Sequence, residues 1–167
     1  MESVTSQTDL NKLKATVKSE LKTLAHQWLT PFTEDTPANS VETALRKRCK
    51  AVDNALLSIW KALDMPATYA LIAVGGYGRG ELFPFSDVDV LILIDSEPDG
   101  QNTEKLETFC GSGWDIGLEI GHSVRTPAQC VEEAAKDITV QTALVEARLL
   151  FGNIKYFNDL NDNLQKI

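Results

Sequence analysis

The sequence has 167 residues, enough for one ordinary domain and for two only if both are small. With 43% hydrophobic and 24% charged residues, and no low-complexity tract, it reads as a globular chain rather than a disordered or fibrous one. A formal net charge of -8 argues against non-specific binding to nucleic acid or to an anionic membrane, both of which need basic patches, but it leaves room for a nucleoside triphosphate bridged to carboxylates by metal cations.

Leu10, Leu13, Val17, Leu21, Leu24 and Trp28 recur at three- and four-residue steps, the stripe of an amphipathic helix. The helix is expected to stop near Thr30 and Pro31, because proline disfavours helix in the residue before it. Residues 33–39, with Pro37, read as a loop. A second helix starts near Ser40, carries Val41, Leu45, Val52, Leu56, Ile59, Trp60 and Leu63 on its apolar side, and ends before Pro66. The pattern then changes. Residues 69–74 are a short apolar run closed by Gly75 and Gly76, a buried strand entering a tight turn. Residues 87–95, rich in Val, Ile and Leu, form a second strand, residues 103–110 look helical, and residues 117–124 alternate enough for a third strand. Thr126 and Pro127 open a helix through about Lys136, since threonine caps well and proline is tolerated in the first turn. Residues 139–150 read as a further helix with Gly152 as its C-cap, and residues 154–167 as a last one that stops in mid-pattern.

The sum is an α+β fold with a small mixed sheet flanked by helices. It is expected to divide into an N-terminal helical segment over residues 1–66, a core over 67–152 and a C-terminal helix over 153–167 that reads as truncated. Cys49, Cys110 and Cys130 lie far apart and form no CxxC pair. The start, MESVTSQTDLNKLK, has no apolar core of a signal peptide, and no apolar run approaches the roughly 20 residues of a membrane helix. Reduced thiols in a soluble cytoplasmic protein, away from membranes, are the expectation.

The chemistry is concentrated in VGGYGRGELFPFSDVDV at positions 74–90. Side chains alternate along a strand, so Asp87 and Asp89 share one face while Val88 and Val90 share the other. Two carboxylates that close repel unless a cation compensates them, and hard oxygen ligands favour Mg2+ or Mn2+. By itself an Asp-x-Asp is more often a strand-edge acidic pair; the glycines alter those odds. Gly75 and Gly76 let the backbone approach phosphate oxygens without Cβ interference, and a helix starting at Tyr77 or Gly78 would aim its amides at them. Arg79 either reaches a phosphate or pairs with Glu81 to hold the turn, and Ser86 either donates to a phosphate or caps the approach to the strand. The Rossmann spacing fails because Glu81 follows Gly80, and no Gly-Lys-Ser/Thr ending supports a Walker loop.

A glycine pair ending one strand, with Ser-Asp-x-Asp opening the next, resembles the DNA polymerase beta-type nucleotidyltransferase superfamily. The longer string GGYGRGELxPxSDxD closely resembles the bacterial protein-PII uridylyltransferase/uridylyl-removing family. So do WDIGLEIGHSVRT at positions 114–126 and DITVQTALVEARLLFG at positions 137–152, three ordered blocks across roughly residues 70–152. The resemblance implies metal-binding carboxylates at Asp87 and Asp89, a nucleotide-phosphate turn at Gly75 and Gly76 with Arg79 and Ser86 beside it, and transfer of UMP from UTP to a tyrosine of PII with release of pyrophosphate. It also implies a third carboxylate on a neighbouring strand. Glu119 fits the apolar-acid-apolar pattern, whereas Asp115 belongs to the family's Trp-Asp block and is preferred on that ground. His122 and Arg125 share the second block; His122 reads as a hydrogen-bonded structural residue, and Arg125 either contacts triphosphate or caps the helix at Pro127, with neither taken as a site residue. Position 83 is Phe where relatives often carry His. Full-length members continue into an HD-type phosphohydrolase domain and glutamine-sensing ACT domains; this sequence has two histidines, His26 and His122, and no His-Asp dipeptide. Adenylyl transfer by a related enzyme, or a silent nucleotide-binding regulatory module, are the alternatives.

Overall fold

The computed structural model describes residues 6–29 and 38–167, and the side chains of 27–29 and 38–39 lie outside that description, as do the loop expected over most of 33–39 and the packing of Trp28. Two long helices come first, α1 (Gln7–Leu29) and α2 (Ala38–Ala62). Ser6 caps α1, its hydroxyl accepting from the Asp9 amide at 3.2 Å. The expected stripes face inward: Leu10, Val17 and Leu21 from α1, and Leu45, Val52, Leu56, Ile59 and Trp60 from α2, are buried. Trp60 meets Phe109 edge to face, with ring centroids 5.3 Å apart.

The remaining elements are β1 (Ala70–Ala73), α3 (Gly75–Gly78), β2 (Val88–Leu93), α4 (Gly100–Asp115), β3 (Ile120–Arg125), α5 (Pro127–Lys136), α6 (Ile138–Val145), β4 (Arg148–Gly152) and α7 (Ile154–Leu164). The strands form one sheet in the order β3-β2-β1-β4. β1 is antiparallel to β2 and β4, whereas β2 and β3 run parallel, with α4 making the crossover that a parallel pair needs. Asp99 starts that crossover helix by accepting from the Asn102 amide at 2.8 Å. Thr126 and Gln129 form a reciprocal capping box at the head of α5, where the sequence expects a helix start.

Both faces of the sheet are covered. Leu71, Ala73, Val88, Val90, Ile92 and Ile120 join one apolar cluster with α1, α2 and α4, while Ala70, Ile72, Leu91 and Leu93 join another with α5, α6 and α7. Burial on two sides explains why β1 and the part of β2 after Asp89 are continuous apolar runs without strict alternation. The arrangement is the α+β fold expected, with four strands.

One expectation fails. The helix read over residues 139–150 ends at Val145, and Arg148–Gly152 is a strand pairing with β1, Ala70 opposite Gly152 and Ala73 opposite Arg148. Gly152 is no helix cap: a Cβ there would sit 2.1 Å from the Tyr69 carbonyl oxygen, so the residue is small because a strand passes against it. Among the described residues no helix is long and apolar enough to cross a membrane.

Candidate active site

The site forms where β1 leaves the sheet and β2 enters it. Antiparallel pairing sets Ala73 opposite Val90, and the Val74 amide donates to the Asp89 carbonyl at 3.1 Å, so the glycine turn after β1 lies against the start of β2. The turn winds into α3 at once, two residues earlier than expected. Gly75 opens it with φ +60, and a Cβ there would lie 3.7 Å from Asp89 Oδ2. The Arg79 and Glu81 amides close the turn onto the Gly75 and Gly76 carbonyls at 3.1 and 2.9 Å.

Asp87 immediately precedes β2 and Asp89 lies within it. Val88 and Val90 are buried in the core, which turns both carboxylates out on the opposite side, where both residues are exposed. Parallel register brings Gly121 of β3 beside Asp89, and a Cβ on Gly121 would come 2.4 Å from Asp89 Oδ1. One side-chain-free residue therefore flanks each carboxylate oxygen. The Asp89 carboxyl is raised above the ordinary range, first by the desolvation its neighbours impose and second by the charge of Asp87.

Gly76, Arg79, Ser86, Asp87 and Asp89 line one open depression, with Gly75 at its edge, so the structure brings these sequence candidates together. Ser86 is half-buried and its amide donates to Phe83 O at 3.0 Å, closing the turn into β2. Arg79 is held between two carboxylates, Glu81 at 3.0 Å and Glu146 at 2.5 Å. Glu146 caps the end of α6, and no local signal ties it to Arg79, 67 residues away.

Asp115, preferred on the resemblance, is the last residue of α4, not part of a strand, and its carboxylate pairs with Lys14 of α1 at 2.8 Å. Glu119 stands one residue before β3, its carbonyl accepting from the Val88 amide at 2.8 Å; since Val88 pairs with Ile120, Asp87 and Glu119 enter the sheet side by side. His122 and Arg125 lie on β3.

Among the described residues no group of three or more Asp, Glu, His or Cys side chains forms a ready metal cage. A carboxylate pair suits Mg2+ nonetheless, because that ion keeps waters and takes one or two carboxylates together with substrate phosphates. The mutual repulsion felt at Asp89 is what a cation would relieve.

Residues 51–142 match the family described as nucleotidyltransferase domain. The chain is 52% identical over 153 residues to the bifunctional uridylyltransferase/uridylyl-removing enzyme of Cupriavidus pinatubonensis, covering 92% of this chain and 17% of that protein. To the proteins of the same name it is 53% identical over 134 residues in Cupriavidus metallidurans and 47% over 140 residues in Burkholderia pseudomallei, covering 80% and 84% of this chain and 16% of each relative. The chain thus spans about a sixth of the length of the curated relatives it matches.

Proposed function

The chain belongs to the nucleotidyltransferase domain family, and we propose that it is a uridylyltransferase domain, transferring UMP from UTP to a tyrosine hydroxyl of a PII nitrogen regulatory protein and releasing pyrophosphate. The observation that carries this reading is the pair Asp87 and Asp89 on one side of β2, opened to ligand by Gly75 and Gly121. In this reading the two carboxylates hold Mg2+ or Mn2+. The bound metal would lower the proton affinity of the attacking hydroxyl and stabilise charge on the α-phosphate and the leaving pyrophosphate. The chain's own contribution is placement. The Gly75–Gly76 backbone admits phosphate oxygens closely, and the Ser86 hydroxyl donates to them from the same depression. Arg79, already matched by Glu81 and Glu146, supports the turn. For a third carboxylate both candidates stay open: Glu119 stands beside Asp87 where the two segments enter the sheet, and Asp115 pairs with Lys14 at the end of α4.

The test is to incubate the chain with labelled UTP, Mg2+ or Mn2+ and PII protein, with ATP as competitor and Asp87→Asn/Asp89→Asn as control. Label on PII with stoichiometric pyrophosphate, reduced at least about a hundredfold in the control, is the expected result. Metal-dependent UTP binding without pyrophosphate would instead mark a nucleotide-binding module, and preferred transfer from ATP an adenylyltransferase. Absence of both binding and transfer would overturn the functional reading.

A further inference from the structure

Tyr77 sits in the middle of the glycine turn, and its side chain joins the apolar cluster of Val88 and Val90, buried to 1% exposure. A phenylalanine would fill the same apolar volume; the hydroxyl adds only a directional link, which when buried must find a partner. It finds Asp53 of α2, donating to Oδ1 at 2.5 Å. Arg148 of β4 grips the same carboxylate with both terminal nitrogens, at 2.7 and 3.2 Å. Arg148 also donates to the Tyr77 carbonyl at 3.3 Å and stacks its guanidinium 5.4 Å from the ring centroid. Two elements distant in sequence, α2 and β4, therefore hold one residue of α3 by its ring, its hydroxyl and its backbone.

We propose that Asp53, Tyr77 and Arg148 are positioning residues for the nucleotide: they fix the Gly75–Gly76 turn at its distance from Asp89, so that phosphate meets a preset cradle. The proposal rests on the reading of that turn as the phosphate-binding segment. It gives α2 a part in the site beyond covering the sheet. Preorganisation of this kind raises affinity by removing the ordering cost that a loose turn would impose on binding. The bonds to Asp53 are charge-assisted, and the forked geometry suits arginine and not lysine.

The experiment compares Tyr77→Phe, Asp53→Asn and Arg148→Lys with the unaltered chain by calorimetric titration of UTP with Mn2+, by hydrogen exchange and by melting temperature. Tyr77→Phe is the deciding variant because it keeps the core filled. UTP affinity is expected to fall roughly tenfold, and exchange of the Arg79 and Glu81 amides to rise by a similar factor. Amides of α5 and α7 and the melting temperature should change little. Asp53→Asn added to Tyr77→Phe should weaken binding by less than the product of the two single effects, as a shared link requires. Arg148→Lys should restore only part of what Arg148→Ala loses. Affinity and turn exchange within twofold of the unaltered chain in Tyr77→Phe would overturn the proposal, as would losses shared equally by every helix. If the unaltered chain binds no UTP, the phosphate reading itself fails, and the exchange rates alone then decide whether the three residues hold the turn.

Discussion

Asp89 is under electrostatic tension when its site holds no cation. Its carboxyl is raised by partial desolvation and then by Asp87, so folding favours the protonated form. A carboxyl raised in the folded state contributes stability that is fully present below its unfolded value, about 3.9, and is lost as pH rises through the folded value. Asp89→Asn should therefore raise the melting temperature in a chelating buffer at pH 7, a gain that fades as the pH falls towards 3. Added Mg2+ or Mn2+ should narrow the difference at pH 7 by stabilising the unaltered chain alone. Thermal melts across pH, with and without metal, decide this; a melting temperature lowered by the substitution at pH 7 without metal would contradict the cause given for the shift. Arg79 shows the opposite condition, a charge already matched by Glu81 and Glu146.

At the scale of elements, two glycines with equally close neighbours have different tasks. A Cβ on Gly121 would meet the end of the Asp89 side chain at 2.4 Å, whereas one on Gly78 would meet the Glu146 and Ala73 carbonyl oxygens at 2.4 and 2.9 Å. A carboxylate can swing aside and backbone cannot. Gly121→Ala should therefore leave the melting temperature nearly unchanged while reducing nucleotidyl transfer at least about tenfold, through a displaced Asp89 carboxylate. Gly78→Ala should destabilise the fold by about 1–3 kcal/mol by forcing α3 away from β1 and the end of α6. Denaturant titrations and transfer assays on both variants separate the two effects. The site is thus assembled from ends of elements: the exit of β1, the entry of β2, the start of β3 and the end of α6.

Over the whole molecule, the N-terminal helices share one core with the sheet. Val52, Leu56, Ile59 and Trp60 of α2 are at most 2% exposed and lie in the same cluster as Leu71, Val90 and Ile92. Four such side chains, at about 1.5–3 kcal/mol each, rival the whole stability of an ordinary domain, about 5–15 kcal/mol. A chain beginning at residue 67 should consequently lose cooperative unfolding and bind a hydrophobic dye, which calorimetry and dye fluorescence would show. A sharp melt of residues 67–167 alone would mean that α1 and α2 are an appendage.

Much of this was legible because it depends on near neighbours. The helical stripes of α1 and α2, the Thr126 cap with Pro127 after it, the glycine turn and the shared side of Asp87 and Asp89 follow from periods of 3.6 and 2, or from residues within four positions. The longer motif added the resemblance to nucleotidyltransferases. Tertiary structure alone decided what depends on distant partners. The residues of β4 carry an apolar pattern that suits helix or strand, and pairing with β1 settled it. Asp115 and Glu119, four positions apart, parted when one ended a helix against Lys14, 101 residues away, and the other entered the sheet. Gly121 became part of the site only through the parallel register of β2 and β3, and Asp53, Tyr77 and Arg148 met only once α2, α3 and β4 had packed. Local geometry is written in local sequence, whereas a contact between distant residues exists only after the chain has closed on itself.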